Sequence, residues 1–227
     1  MFRYIVLEKR LIYFSEYDIM NKEELIMSIK EGKLLYHLTT LDVFESIVIN
    51  GLLSRNDLVE RQLDFVDTAN HEILEGRERL GLSDFIPFHF HIHTSYDTYV
   101  KDHNRDKEFI YLCLSRKYAE DNNFPVLPIH PTSQDQPDMY NYLDGIEAID
   151  WDVMEMKKTD PLPFDVTEQQ RTLIRMAECL APSPLPVENF HSVYVKNDQD
   201  AQYVRRILLE HNIRINPPYI NISDKFF

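Results

Sequence analysis

The sequence of 227 residues predicts one α+β domain. Short apolar runs typical of strands mix irregularly with stretches of helical periodicity, and no regular strand–helix–strand succession is present. The chain is long enough to form a single sizeable core. Hydrophobic residues make up 44% of the chain and aromatic residues 12%, which excludes an intrinsically disordered protein.

Four segments have the apolar composition of β-strands. They are residues 2–14, 34–38, 85–93 and 109–114. The third of these alternates, so Phe88, Phe90 and Ile92 face one way and the three histidines face the other. A fifth segment, Met176–Leu180, fits either a short strand or the end of a helix.

Periodicity and capping residues predict the helices. Thr39 or Thr40 begins a helix that Gly51 ends, because glycine readily adopts the left-handed conformation after a last turn. Residues 70–80 predict a polar helix. The capping box at residues 167–170 opens a further helix.

Two features complete the predicted organisation. Residues 121–165 hold half of the 12 prolines and read as a long ordered loop with short elements, which Trp151 anchors. Asp198 is predicted to cap a last amphipathic helix. The core face of that helix consists of Ala201, Val204, Ile207 and Leu208.

The formal net charge of −14 at first argues against a nucleic-acid partner. Residues 121–170 carry two basic and 11 acidic side chains and account for −9, whereas residues 171–227 carry +1. Screening at cellular salt limits the reach of this acidic segment to roughly 8–10 Å. Nucleic-acid binding elsewhere on the surface therefore stays open.

Motif spacing excludes several classes of protein. The five glycines do not form a Gly-x-Gly-x-x-Gly loop, and Gly76 and Gly81 lack the Lys-Ser/Thr that completes a Walker phosphate loop. Cys113 and Cys179 are too few for a disulfide scaffold or a four-thiolate zinc site. No apolar run reaches the roughly 18–20 residues of a membrane span, and no signal-peptide core is recognisable. We therefore expect a cytoplasmic protein.

His89, His91 and His93 share one face of the predicted strand, and a His-x-His pair on a strand can bind one metal ion. Such a site also needs a third ligand from elsewhere in the chain. The pattern favours a second interpretation, in which the apolar face packs in the core and the imidazoles line a cleft or solvent.

Three other polar residues each have two interpretations. His37 ends an apolar strand and is either a hydrogen-bonded core histidine or a ligand-binding one. Arg77 lies among glutamates, which favours surface ion pairs. Glu178 interrupts an apolar run and is either a helix residue that reaches solvent or a functional acid.

Four pieces of the sequence, in this order, resemble the DarT-type DNA ADP-ribosyltransferases. They are Tyr36-His37-Leu38-Thr39 with a helix and Gly51–Asn56, then His71–Arg77, then Asp84–Phe90, and Met176–Leu180 with Pro184-Leu185-Pro186. Together they span about residues 34–195. The resemblance implies a mono-ADP-ribosyltransferase fold, a split β-sheet around an NAD cleft, that modifies a base of single-stranded DNA.

The resemblance also implies roles for individual residues. Glu178 matches the catalytic glutamate of the family, and Arg77 is the best match to its catalytic arginine. The residues implied to bind NAD are His37, Thr39, Gly51, Phe88 and Phe90. The residues implied to bind the DNA are Arg55, His71, His91 and His93.

The predicted organisation is an N-terminal extension, residues 1–33, packed on an ADP-ribosyltransferase domain, residues 34–227. Such a toxin implies a cognate antitoxin, a hydrolase that removes ADP-ribose from DNA. Three alternatives stay open: an ADP-ribosyltransferase with a protein or RNA acceptor, a catalytically silent NAD-binding or interaction module, and a metal-dependent enzyme that uses the three alternating histidines.

Overall fold

A computed structural model describes the backbone of residues 4–7, 10–13, 28–63, 71–131 and 138–227, and the side chains of 28–63, 75–131 and 138–227. The chain divides into two compact units, Met1–Gly32 and Lys33–Phe227. In the first unit, β1 (Tyr4–Leu7) and β2 (Arg10–Tyr13) pair antiparallel, as expected within residues 2–14. That residues 1–33 pack on the domain stays a prediction.

The second unit is built on a seven-stranded sheet in the order β6-β7-β4-β3-β5-β8-β9. Its strands are β3 (Leu34–Thr40), β4 (Phe85–His89), β5 (Phe109–Ser115), β6 (Val126–Leu127), β7 (Glu178–Pro182), β8 (Ser192–Val195) and β9 (Tyr219–Ile222). Neighbouring strands are antiparallel except β8 and β9. Only the pair Tyr36–His89 joins β3 to β4, whereas β3 and β5 pair along their whole length. The sheet is therefore continuous but nearly split between β3 and β4.

The helices lie between these strands. Among the described residues they are α1 (Phe44–Asn50), α2 (Arg55–Glu60), α3 (His71–Arg79), α4 (Ser95–His103), α5 (Arg116–Asp121), α6 (Tyr142–Ala148), α7 (Trp151–Glu155), α8 (Glu168–Ile174) and α9 (Asp198–Glu210). Short 3-10 helices occupy Leu41–Val43, Val187–Asn189 and Asp224–Phe226. No helix within the described ranges is long and apolar enough to cross a membrane.

Several local predictions are confirmed. The four predicted core positions of α9 are all buried, and the capping box at residues 167–170 begins α8. Gly51 ends α1 with φ = 78°. Trp151 is buried and donates a hydrogen bond from Nε1 to the carbonyl of Ile146, which anchors the acidic segment. The cap of α9 is one residue earlier than predicted, because the side chain of Asn197 accepts from the backbone N–H of Asp200.

The predicted strand over residues 85–93 is wrong beyond His89. His93 has φ = 59°, which a strand cannot accommodate, and Thr94 immediately caps α4 in a capping box with Asp97. The chain must turn to enter this helix. The alternation of apolar and polar residues therefore continues beyond the end of the strand. It also does not distinguish buried from exposed positions, since His89 and His91 are buried along with Phe88 and Phe90.

Candidate active site

Glu178 is a buried carboxylate at the first position of β7, where the strand lies between β4 and β6. Its Cα partners are His89 on β4 and Leu127 on β6. The residue is 2% exposed. A carboxylate this far from water requires a charged partner or several hydrogen bonds. The uncertainty between helix and strand at residues 176–180 is thus resolved in favour of a strand that starts at Glu178.

Arg77 supplies that partner from α3. One terminal nitrogen, Nη1, lies 2.9 Å from Oε1 and 2.7 Å from Oε2 of Glu178. The Arg77 side chain is 11% exposed, whereas Arg79 is exposed to solvent. The expectation of a surface ion pair within α3 is therefore wrong for Arg77, because the guanidinium reaches a carboxylate 101 residues away along the chain.

Apolar packing brings this pair together. Leu80 packs against a buried cluster that contains Leu82, Leu127 and Leu180. Leu80 follows Arg77 by three residues, and Leu180 follows Glu178 by two, so each leucine shares a face with its charged neighbour. The packing of Leu80 against the cluster that contains Leu180 therefore places Arg77 beside Glu178.

The ion pair controls the charge of the acid. Burial would raise the pKa of Glu178, but the Arg77 guanidinium holds the pKa below its usual range. Glu178 is therefore ionised at neutral pH. The second terminal nitrogen of Arg77, Nη2, is also buried and has no hydrogen-bond partner among the described atoms. A donor of this kind beside an anionic carboxylate is available to a ligand.

His130 completes the surroundings of the acid, and the sequence interpretation missed it. Its Nε2 lies 3.7 Å from Oε1 of Glu178, and burial lowers its pKa to about 4, so the imidazole is neutral at pH 7. The residue follows the apolar run 126–129, which contains β6. A lone histidine just after a short buried strand was the available signal.

His37 lies at the split of the sheet. Its Nδ1 donates to the carbonyl of Pro87, 2.9 Å away, and its ring lies 5.4 Å from that of Phe88. Pro87 is two residues from His89, so His37 and Glu178 approach neighbouring positions of β4 from its two sides. Burial lowers the pKa of His37, which leaves the ring neutral with Nε2 as a hydrogen-bond acceptor. Thr39, on the same strand, is half-buried.

The two aromatic residues predicted near NAD both lie in the core, but only one of them contacts another predicted NAD residue. Phe88 and Phe90 are almost fully buried. The Phe90 ring lies edge-on to Trp151 at 5.7 Å, and the Arg116 guanidinium lies over both rings. Phe88 thus contacts His37, whereas Phe90 belongs to a separate packed cluster.

Two predicted residues lie toward the other end of β7. Gly51 precedes Leu52, which forms a β-bridge with Leu185, and Arg55 begins α2. Ser183, just after β7, accepts from the backbone N–H of Ser54 and donates to Asp57. These contacts tie α2 to the end of β7 that is opposite Glu178, a separation of roughly 13–17 Å along a five-residue strand.

The remaining predicted residues differ in their surroundings. His71 begins α3, and its side chain is outside the described part of the structure. Both ring nitrogens of His91 face carbonyls, those of Ile92 and Arg175, at 2.7 and 2.8 Å. His93 is exposed and donates to the carbonyl of Lys225. Among the described side chains, no group of three or more His, Cys, Asp or Glu could hold a metal ion.

The arrangement supports a specific kind of chemistry. A buried carboxylate that is ionised at neutral pH stabilises positive charge that develops on a substrate carbon. The free donor of Arg77 stabilises negative charge on an adjacent group. The same pocket can therefore stabilise both partners of a reaction between an electron-poor carbon and a weakly acidic nucleophile.

Comparisons with solved structures identify the fold. DarT of Thermus sp. 2.9 in complex with ADP-ribosylated single-stranded DNA is 18% identical with a TM-score of 0.69, over 87% of this chain and 97% of that one. The same protein with NAD+ gives 16% and 0.65 over 87% and 98%. DarTG of Thermosipho africanus with ADP-ribose gives 16% and 0.60, over 86% of this chain but 51% of that longer one.

Comparison with curated protein sequences gives no match. The family model "ssDNA thymidine ADP-ribosyltransferase, DarT" matches residues 36–227, from the first piece of the predicted resemblance through the last strand. The predicted family, ADP-ribosyltransferase-like fold and activity are thereby confirmed, although the sheet is a single open one that is only nearly split between β3 and β4. The chain belongs to the DarT family of single-stranded DNA ADP-ribosyltransferases.

Proposed function

We propose that this chain transfers ADP-ribose from NAD to the thymine base of single-stranded DNA, with Glu178 and Arg77 as its catalytic pair. The observation that carries the assignment of the pair is the buried contact between Nη1 of Arg77 and both oxygens of Glu178. It keeps the acid ionised and leaves Nη2 for the substrate.

The first half of the reaction breaks the bond between nicotinamide and C1′ of the ribose. The bonding electrons leave with nicotinamide, and positive charge develops on C1′. The Glu178 carboxylate, close to the 2′-hydroxyl, stabilises this charge. Such stabilisation is strong because the carboxylate is 2% exposed, so solvent screens it little. The neutral His130 nearby does not compensate the charge of the acid at pH 7.

The second half forms the bond between C1′ and a ring nitrogen of thymine. N3–H of thymine lies between two carbonyls and is a weak acid. A hydrogen bond from Nη2 of Arg77 to one of these carbonyls stabilises the anionic base. N3 attacks C1′ while its proton passes to Glu178 and then to solvent. The lowered pKa of Glu178 makes charge stabilisation its larger role and proton acceptance its smaller one.

The NAD site extends from this pair toward the split of the sheet. His37, with Nδ1 committed to Pro87, presents Nε2 as an acceptor for a ribose hydroxyl of the adenosine half. Thr39 and Gly51 are proposed on the same side, and Phe88 and Phe90 near nicotinamide. Arg55, His71 and His93 are the proposed contacts to the DNA strand, whereas both ring nitrogens of His91, which was predicted with them, face backbone carbonyls. The structure gives the strongest support to His37 and the weakest to Phe90 and His91, which core contacts occupy.

DNA modification of this kind calls for control in the cell. We propose that the protein acts as a toxin in the cytoplasm, together with an antitoxin that hydrolyses ADP-ribose from DNA. The DarTG relative, of which this chain matches about half, supports an association with a second domain. Two buried free thiols, Cys113 and Cys179, agree with a reducing compartment.

The test is mass spectrometry of mixed-sequence single-stranded DNA after incubation with the protein and NAD. We expect one ADP-ribose on thymine, and loss of about 10³-fold or more in rate for Glu178→Gln, which keeps the shape but removes the charge. Thermal unfolding of both proteins controls for folding. Release of nicotinamide without a DNA adduct would contradict the acceptor and point to protein or RNA. Binding of NAD without turnover would indicate the silent module.

A further inference from the structure

Helix α4 carries a row of aromatic side chains beside its buried face. Tyr96, Tyr99 and His103 follow one another at spacings of three and four residues, which places them within an arc of about 60°. Asp97 and Val100 form the buried face. Tyr99 is 39% exposed, and His103 is exposed as well. The row therefore runs along the solvent border of the helix.

One end of this row lies at the active site. The ring centroid of Tyr96 is 6.4 Å from that of His89, and His89 is the Cα partner of Glu178. From Tyr96 to His103 the helix axis advances about 10 Å. The row thus leads away from the catalytic acid over the length of two or three nucleotides.

The outer end of the row is a preformed stacking surface. The rings of Tyr99 and His103 lie 4.0 Å apart with an angle of 31° between their planes, and His103 donates from Nδ1 to the carbonyl of Tyr99. The helix beneath them is held by its capping box and by the hydrogen bond from the Tyr111 hydroxyl to Asp97. A ligand that stacks here does not need to order the rings first.

The charge of this region indicates which part of a DNA strand it recognises. Residues 93–107 contain three basic and three acidic side chains. In a protein with a net charge of −14 this segment offers little attraction to phosphates. Aromatic rings, by contrast, stack on any nucleobase of an unpaired strand.

We propose that Tyr96, Tyr99 and His103 form a track on which the bases next to the modified thymine stack. This inference rests on the proposed function and specifies its substrate: a strand that extends at least two nucleotides beyond the target on one side, held mainly through its bases. It follows that affinity for DNA depends on oligonucleotide length more than on salt.

Fluorescence anisotropy of labelled oligonucleotides, a trinucleotide and a 12-mer with one thymine, tests the track. Tyr99→Ala is expected to weaken binding of the 12-mer at least about fivefold, the lower end of the range for one stacked base. It should leave the trinucleotide and the rate of its modification unchanged. Tyr99→Phe retains the ring and should bind like the unaltered protein. Tyr219→Ala, which removes a tyrosine that is 70% exposed on the edge strand β9, is the matched control.

The outcomes separate the track from the proposed function. Equal binding of the 12-mer by Tyr99→Ala and the unaltered protein would overturn the track while DNA modification continued. Equal losses on both oligonucleotides would overturn it too, since that indicates a distorted site. If the unaltered protein modifies no DNA, the proposed function fails, but the binding measurements still test the track directly.

Discussion

Glu178 and His91 are both buried polar side chains near β4, but they contact different kinds of polar partner. Glu178 faces a guanidinium from a distant helix, and one nitrogen of that guanidinium is unused among the described atoms. Both ring nitrogens of His91 face backbone carbonyls, and the neutral ring donates its single N–H to one of them while the other carbonyl covers the second nitrogen. An unused donor therefore distinguishes the candidate reactive pair from the structural histidine. Burial alone does not, because both residues are more than nine-tenths buried.

Removal of Arg77 breaks the first half of this comparison and has the largest expected effect. Arg77→Met leaves the Glu178 carboxylate buried without its countercharge, so the free energy of unfolding should fall by about 3–5 kcal/mol. DNA modification should fall by about 10²–10³-fold, because both the ionised acid and the donor to the base are lost. Urea unfolding and adduct formation measure the two effects.

Two variants control for this change. Arg79→Met alters an exposed arginine of the same helix and should leave both quantities nearly unchanged. The double variant Arg77→Met/Glu178→Gln removes the unpaired charge and should regain much of the stability but none of the activity. If Arg77→Met alone retained normal adduct formation, the assignment of the catalytic pair would be wrong.

Features that depend on neighbouring residues were predictable from the sequence. The core face of α9, the capping box at residues 167–170 and the left-handed Gly51 each follow from spacing within one turn or one helix. The end of β4 was not predictable from alternation, because the capping of α4 by Thr94 decides where the chain turns.

The candidate site was predictable only in part. Glu178 and Arg77 were found through a resemblance, whereas physical reasoning left both open, since their contact joins segments 101 residues apart. His130 was missed because its position just after a short buried strand is equally typical of a core histidine. Its proximity to Glu178 depends on the strand pairing of β6 with β7, which places Leu127 opposite Glu178.

Acid should weaken the fold through its buried histidines without removing the catalytic pair. Burial lowers the pKa of His91 and of His130 to about 4, so between about pH 6.5 and pH 4 the unfolded chain binds more protons than the folded one. Stability therefore falls as pH falls, by about 1.4 kcal/mol per pH unit for each histidine. Glu178 acts in the same direction only below its ordinary pKa of 4.5.

Urea unfolding between pH 7.5 and pH 4.5 measures this dependence. His130→Leu should reduce the slope by the contribution of one proton, and stability that is independent of pH over this range would contradict the neutral, buried state of both rings. DNA modification by the folded protein should depend on pH less than stability does between pH 6.5 and pH 5, because Glu178 stays ionised throughout.

Replacement of His91 tests the second half of the comparison and has the smallest expected effect. His91→Leu fills the space of the ring but leaves one carbonyl, that of Ile92 or of Arg175, without the N–H of the neutral imidazole, so the free energy of unfolding at pH 7.5 should fall by about 1–3 kcal/mol. The slope with pH should also flatten by one proton. The rate of ADP-ribose transfer at saturating substrates should change less than twofold, since the ring has no capacity left for a substrate. A loss of transfer comparable to that of Arg77→Met, in a variant that unfolds with normal cooperativity, would place His91 among the reactive residues and erase the distinction between the two clusters.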